Sequence, residues 1–137
     1  MARDKYHQEF KAALESDGWR VTDDPLYLKT GRIPVMIDLG AERIIIAEKG
    51  NEKIAVEIKT FSNLSFITAF YEAIGKYIVY RKALELNQDA RPLYLAIPEG
   101  IFKDFDEEPL VLSVFADEHV RVIIYNPAAK TIVQWIT

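Results

Sequence analysis

The chain has 137 residues, half of them hydrophobic, which suits one folded domain with a buried core and excludes a disordered segment. It has no cysteine, which excludes disulfides, thiol nucleophiles and cysteine-based zinc sites and fits a reducing cytoplasm. The formal net charge of −4 comes from residues 83–137, where 9 Asp and Glu accompany 4 Lys and Arg, so the near-neutral remainder neither favours nor excludes a nucleic-acid partner.

The first predicted element is a helix over residues 3–17, where apolar side chains recur at helical spacing. Residues 26–37 contain glycine and proline and predict one or two short, broken strands. Residues 43–49 and 53–61 predict a hairpin with Gly-Asn at its turn. Residues 1–6 lead directly into the charged, amphipathic pattern of the first helix, so a signal segment is not expected, and no stretch approaches the length of a membrane span.

The second half opens with the longest helical pattern, over residues 66–87. Its apolar side chains cover much of the helix circumference, so we expect this helix to be buried on more than one side. A strand over residues 93–97, a loop or short helix, and a helix over residues 108–118 follow. Two strands over residues 120–125 and 130–136 close the chain.

Two carboxylates and a lysine are the strongest candidate site. Strand alternation places Glu57 and Lys59 on one side of a strand and three aliphatic side chains on the other. The aliphatic side faces the core, which leaves the acid and the amine on a surface that is exposed or faces a cleft. Asp38, nineteen residues before Glu57, ends an apolar stretch and is expected to return beside Glu57 across the hairpin.

Such a group fits a magnesium-dependent phosphodiesterase. The carboxylates hold a hard cation, the cation polarises a phosphate and acidifies a water, and the ammonium stabilises developing charge. The alternative is a solvated ion pair on an ordinary half-buried strand. Glu42 is the rival of Asp38 as the second carboxylate ligand.

The order helix, three antiparallel strands, helix, strand resembles the αβββαβ core of the PD-(D/E)XK, or restriction-endonuclease-like, superfamily. There the first carboxylate lies at or before the second strand and an E-x-K motif lies on the third, which are the places of Asp38 and of Glu57 and Lys59. The expected fold is α/β, with a mixed central sheet flanked by helices, a further C-terminal helix and strands, and a single domain over residues 1–137.

Within that superfamily the chain resembles the XisH-like family, the fdxN-element excision controlling factors of cyanobacteria. Six separated segments carry this resemblance: residues 15–19, 37–42, 47–50, 53–61, 70–75 and 132–136. The resemblance implies that Mg²⁺ or Mn²⁺ is held by Asp38, Glu57 and the carbonyl oxygen of Ile58. Lys59 would position or activate the attacking water.

The resemblance to the superfamily adds three further candidate site residues. Several of its branches carry a Q-x-x-x-Y motif on the helix after the third strand, and this chain has Lys76 and Tyr80 at that spacing, with lysine in place of glutamine. Many members use a glutamate of the first helix as an extra metal ligand, and Glu9 holds that position. The alternatives are a solvated helix acid for Glu9 and a core position for the tyrosine.

The function implied is a divalent-metal-dependent endonuclease-like factor that acts on DNA in excision and recombination in the cytoplasm. The alternative is a non-catalytic accessory protein that works through a XisI-type partner. A homodimer is also expected, because apolar strands leave sheet edges that need cover. The closing hairpin, which ends in Trp135 and Ile136, is the candidate edge or interface.

Overall fold

The computed structural model describes residues 2–24, 26, 28–31, 33–35, 42–59 and 65–137. The described residues contain both helices and strands, as expected for an α/β protein. The elements are α1 Ala2–Ser16, β1 Arg20–Asp23, β2 Leu28–Thr30, β3 Ile33–Val35, β4 Glu42–Lys49, β5 Glu52–Lys59, α2 Phe66–Leu86, β6 Leu93–Pro98, α3 Glu99–Phe105, α4 Pro109–Asp117, β7 Arg121–Asn126 and β8 Thr131–Ile136.

Six strands form one mixed sheet in the order β1-β4-β5-β6-β7-β8. The strands β1, β4 and β5 are antiparallel neighbours, β5, β6 and β7 run parallel, and β8 returns antiparallel to β7. Parallel neighbours need a crossover, which α2 supplies between β5 and β6. The predicted α/β class with a mixed central sheet and flanking helices is therefore confirmed.

The structure corrects the first strands. The outermost strand of the antiparallel trio is β1, at Arg20–Asp23, which the sequence analysis does not predict. The predicted strands within residues 26–37 are β2 and β3, which pair with each other in a separate two-stranded sheet. A short, polar edge strand such as β1 lacks the alternation that would reveal it.

Local chemistry explains where the elements near the site begin and end. Gly50 adopts a φ of 60° in the two-residue turn between β4 and β5, a left-handed conformation that glycine accepts readily. The hydroxyl of Ser65 accepts from the backbone N–H of Thr68 and caps the N-terminus of α2. Near its C-terminus, the backbone N–H of Asn87 donates to Ala83 O at 3.1 Å, and Gln88 follows with a φ of 57°.

The two faces of the sheet carry two apolar clusters. On one face α1 packs on β4 and β5, through a cluster that joins Phe10, Ala13 and Leu14 to Ile54 and Val56. On the other face α2 packs on β5 and β6. That second cluster joins Ala73, Tyr77, Tyr80 and Leu84 of α2 to Ile46, Ala55, Leu93 and Leu95 of the sheet. Central strands are thus covered on both faces, as parallel strands require.

The edges of the main sheet are β1 and β8, so the predicted edge position of the closing hairpin is confirmed. Trp135 of β8 packs against Trp19 and Tyr94, with ring centroids 5.6 and 5.3 Å away. Among the described residues, no helix combines the length and apolar composition that crossing a bilayer requires.

Candidate functional site

The alternation predicted for β5 is present, and its two faces differ. Ile54, Val56 and Ile58 belong to the α1-side cluster, whereas Ala55 belongs to the α2-side cluster, so Glu57 and Lys59 share the α2 side. Of the two alternatives for this face, exposed to solvent or facing a cleft, the structure excludes exposure: Glu57 is 0% exposed and Lys59 is 1% exposed. The physical reason is that α2 covers this face of the sheet.

Lys59 forms an ion pair with a residue that the sequence analysis does not single out. Its Nζ donates to Oε2 of Glu72, on the second turn of α2, at 2.8 Å. The Glu72 side chain is 43% exposed, so the pair joins a buried ammonium to a carboxylate at the surface. The hydrogen bond and charge of Lys59, aided by the charge of Lys76, lower the pKa of Glu72 and keep it ionised at neutral pH.

Lys76 and Tyr80 continue the same face of α2, one and two turns after Glu72, which places the three at helical spacing. Tyr80 is 6% exposed and belongs to the α2-side core cluster, in agreement with its core alternative. A sequence signal for Glu72 did exist. It lies four residues before Lys76, on the face already assigned to the Lys-x-x-x-Tyr spacing.

A neighbouring tyrosine fixes α2 over the sheet. The hydroxyl of Tyr77 donates to Leu93 O at 2.7 Å and accepts from the backbone N–H of Arg121 at 3.1 Å. Tyr77 is fully buried, so both bonds are shielded from water. The helix that carries Glu72 is thereby tied to the first residues of β6 and β7.

The second carboxylate of the predicted site lies outside the described residues, because Asp38 belongs to residues 36–41. Glu42, its rival, begins β4, and its backbone pairs with Lys59 in the antiparallel register. Ile44, two residues later, pairs with Glu57. The start of β4 therefore adjoins the end of β5 that carries the acid and the amine.

Glu9 lies across the sheet from Glu57 and Lys59, on α1, whose apolar side packs on the opposite face of β5. Its charge acts on Tyr125 instead. Burial raises the pKa of Tyr125 strongly, and the nearby groups of Tyr6 and Glu9 raise it further. The described residues do not group Glu9 with the E-x-K motif.

The donor types at the end of β5 fit a hard cation, although the described residues supply only part of a site. Glu57 offers carboxylate oxygens, and Ile58 lies between Arg43 of β4 and Ala96 of β6 in the sheet. Within the described ranges, no three His, Asp or Glu side chains form a cluster able to hold a metal ion. A further carboxylate from Asp38 or Glu42 remains a prediction.

A second ionic group, which is partly buried, ties α1 to the residue that follows β1. His7 Nε2 and Lys11 Nζ both lie 2.8 Å from Oδ2 of Asp24. Burial alone would raise the pKa of Asp24, but the hydrogen bonds and charges of Lys11 and His7 outweigh it and lower that pKa. This group fixes α1 to the sheet. It lies on the opposite side of the sheet from Glu57 and Lys59, so it does not belong to the E-x-K site.

A surface cavity of about 530 Å³ lies at the other end of β5, beside the β4–β5 turn. Its apolar lining comes from Trp19, Ile54, Tyr94 and Trp135. Glu52 and Lys59 occupy opposite ends of β5, which at about 3.3 Å per residue separates this cavity from Lys59 by about 23 Å. The cavity is therefore distinct from the E-x-K site.

Known proteins and a family model match this chain over nearly its whole length. The family model described as XisH protein matches residues 1–133. An XisH family protein from Nostoc punctiforme PCC 73102 is 38% identical, with a TM-score of 0.89, and the match covers 98% of this chain and 100% of that one. A fdxN element excision controlling factor protein from Anabaena variabilis is 35% identical, with a TM-score of 0.88, and coverage is 98% and 99%. No curated protein matches the chain. With a family model over most of its length and two solved relatives above 30% identity, the chain belongs to the XisH family.

Proposed function

We propose that the protein is a nuclease-like factor that controls excision of a DNA element and that it cleaves DNA with a divalent cation. The observation that carries the proposal is the burial of Glu57 and Lys59 on one face of β5, at the strand end beside β4 and α2. A relative is named as a fdxN element excision controlling factor, which supplies the DNA context. The proposal includes membership of the PD-(D/E)XK superfamily, with its αβββαβ core.

The burial of these two ionisable side chains argues for a function rather than for stability. Removing an ionised group from water costs several kcal/mol, and a buried ion pair is often no more stable than apolar side chains of similar volume. Every other buried position of β5 is apolar, namely Ile54, Ala55, Val56 and Ile58. Retention of an acid and an amine within this strand therefore supports a chemical role.

In the proposed site, Glu57 and Asp38 would hold Mg²⁺ or Mn²⁺ together with the carbonyl oxygen of Ile58, and Glu42 is the alternative to Asp38. The cation, when bound, polarises a phosphate and acidifies a water. Lys59 contributes a positive charge close to the reacting phosphate, in a buried place where water screens that charge weakly.

Glu72 serves as a positioning residue for Lys59. It holds the ammonium at 2.8 Å while its own carboxylate remains 43% exposed. A phosphate that enters the site would compete with Glu72 for the same ammonium, because both are anionic oxygen acceptors. Glu72 therefore keeps the lysine oriented until substrate arrives.

The second candidate function is a non-catalytic accessory role with a XisI-type partner. Two observations favour it: Lys59 is already engaged by Glu72, and Lys76 replaces the glutamine of the superfamily motif. The acidic surplus of residues 83–137 is also unfavourable for wrapping DNA around that part of the chain.

A nicking assay on supercoiled DNA, with Mg²⁺, Mn²⁺ or a chelator, separates these functions. Lys59→Met is the decisive variant, because it keeps most of the buried volume and removes the charge. Lys82→Met is the matched control, since Lys82 is exposed on α2 and pairs with Glu85 at 2.7 Å.

The catalytic proposal predicts metal-dependent nicking that Lys59→Met reduces about 10²–10³-fold and Lys82→Met leaves unchanged. Equal nicking by Lys59→Met and wild type contradicts it. Absence of nicking by the wild-type protein with either metal favours the accessory function.

A further inference from the structure

The outer face of α2 is apolar as well as its inner face. The opposite face of the helix is buried on the sheet, yet four large apolar side chains of the outer face are exposed: Ile67 (37%), Tyr71 (65%), Ile78 (37%) and Val79 (57%). The exposed residues from Ile67 to Val79 include one charged side chain, Glu72. Between Ile67 and Val79 the helix is largely apolar on both faces, and an apolar helix face is normally covered, so this part of the outer face is suited to a partner.

Gly75 lies in the middle of this face and makes it flat. A Cβ built at Gly75 meets no atom within 4 Å, so neither the fold of this chain nor the local backbone requires glycine there. Glycine in a helix interior is destabilising relative to alanine. Its presence is explained if another helix packs closely at this point, because the distance between packed helices depends on the side chains at the contact.

The charges beside the face are complementary to a second copy of the same helix. In an antiparallel pair of α2 helices related by a twofold axis at Gly75, position 72 of one copy lies within about 3 Å, along the axis, of position 76 of the other. Glu72 and Lys76 share one margin of the face, so each glutamate meets the partner's lysine, twice per dimer. On the other margin, Tyr71 of each copy meets Ile78 of the other.

We propose that this protein associates with a second copy of itself through the outer face of α2, with the two helices antiparallel and crossing at Gly75. The helix is about 30 Å long and about 10 Å wide, which gives an interface at the small end of the specific range. The dimer therefore forms in a concentration-dependent equilibrium. If the proposed nuclease function also holds, the partner's Lys76 draws Glu72 from Lys59 and couples association to the site.

Sedimentation equilibrium from low micromolar to millimolar protein tests the proposal, with Val79→Lys as the disrupting variant. Leu86→Lys is the matched control, because Leu86 is also on α2 and is 66% exposed. In the proposed dimer, position 86 of one copy would lie level with position 64 of the other, which precedes the start of α2, so Leu86 lies outside the contact between the helices. Val133→Lys probes the β8 edge, where Val133 is 47% exposed. Circular dichroism establishes that each variant is folded.

We expect a wild-type dimer, at least about tenfold weaker association in Val79→Lys and in Lys76→Glu, and wild-type association in Leu86→Lys and Val133→Lys. A wild-type monomer throughout the range overturns the proposal. Loss of the dimer in Val133→Lys but not in Val79→Lys also overturns it and assigns association to the β8 edge. None of these results depends on nuclease activity, so the two proposals fail separately.

Discussion

The two faces of β5 have the same period and opposite chemistry. Towards α1 the strand presents Ile54, Val56 and Ile58, three aliphatic side chains in an apolar cluster. Towards α2 it presents Ala55, Glu57 and Lys59, of which the last two have ionisable side chains and are buried nearly completely. The difference teaches that burial alone does not identify a core position. The α1 side packs in an apolar cluster, whereas the α2 side buries two ionisable side chains next to the partly exposed carboxylate of Glu72.

The largest expected effect on stability falls on the α1 side. Ile58→Ala removes a side chain that is 2% exposed and leaves a cavity in the cluster, which should lower the free energy of unfolding by about 2–5 kcal/mol. Urea denaturation measures this change. A loss well below that range would mean that the α1-side cluster collapses around the cavity and that the two faces differ less than the structure indicates.

On the α2 side, replacing Glu57 and Lys59 together should not lower the free energy of unfolding. The double variant Glu57→Met and Lys59→Met fills a similar volume without desolvated charge, so its free energy of unfolding should equal that of wild type or exceed it by about 1–4 kcal/mol. The same denaturation experiment compares it with Lys59→Met alone, which removes the amine and keeps Glu57. A double variant that is clearly less stable than wild type would show that Glu57 and Lys59 stabilise the fold, contrary to this prediction.

The smallest effect concerns the surface partner of Lys59. The pKa of Glu72 is lower in the folded protein than its ordinary value of 4.5, so its ion pair contributes fully above pH 4.5. That contribution is lost as pH falls below 4.5 and through the lowered pKa. The stability difference between wild type and Glu72→Gln should therefore shrink with acidification, and with Glu72 43% exposed it should stay below about 1 kcal/mol at neutral pH.

Thermal unfolding from pH 3 to pH 7 follows this difference. Asp24 also has a lowered pKa, so wild type and variant both lose stability in acid and only their difference reports on Glu72. A difference that is independent of pH would contradict the ion pair.

Much of the fold was accessible from the sequence because its periodic elements are long. The residues of α2 were predicted to within one position, and the β4–β5 hairpin was located by its turn. The cross-strand pair of Glu48 and Lys53, with 3.8 Å between Oε1 and Nζ, also follows from the predicted turn. The strand β1 was missed because four mostly exposed residues at a sheet edge carry no periodic signal.

The site was accessible only in part, for a different reason. Alternation predicted that Glu57 and Lys59 share a face, but the same alternation fits a face that meets water and a face that meets a helix. Only the packing of α2, fixed by Tyr77, decides that both are buried and that Glu72 is the partner of Lys59. Such a contact depends on how a helix is oriented over the sheet, which local sequence does not specify.

The central claim is that the buried acid of β5 holds a divalent cation. Calorimetric titration with Mn²⁺ of the wild type, Glu57→Gln and the control Glu85→Gln, which alters an exposed carboxylate at the far end of α2, tests it most directly. We predict one saturable site in the wild type and in the control, and at least about tenfold weaker binding in Glu57→Gln. Equal Mn²⁺ binding by wild type and Glu57→Gln, or no binding by either, would contradict the claim.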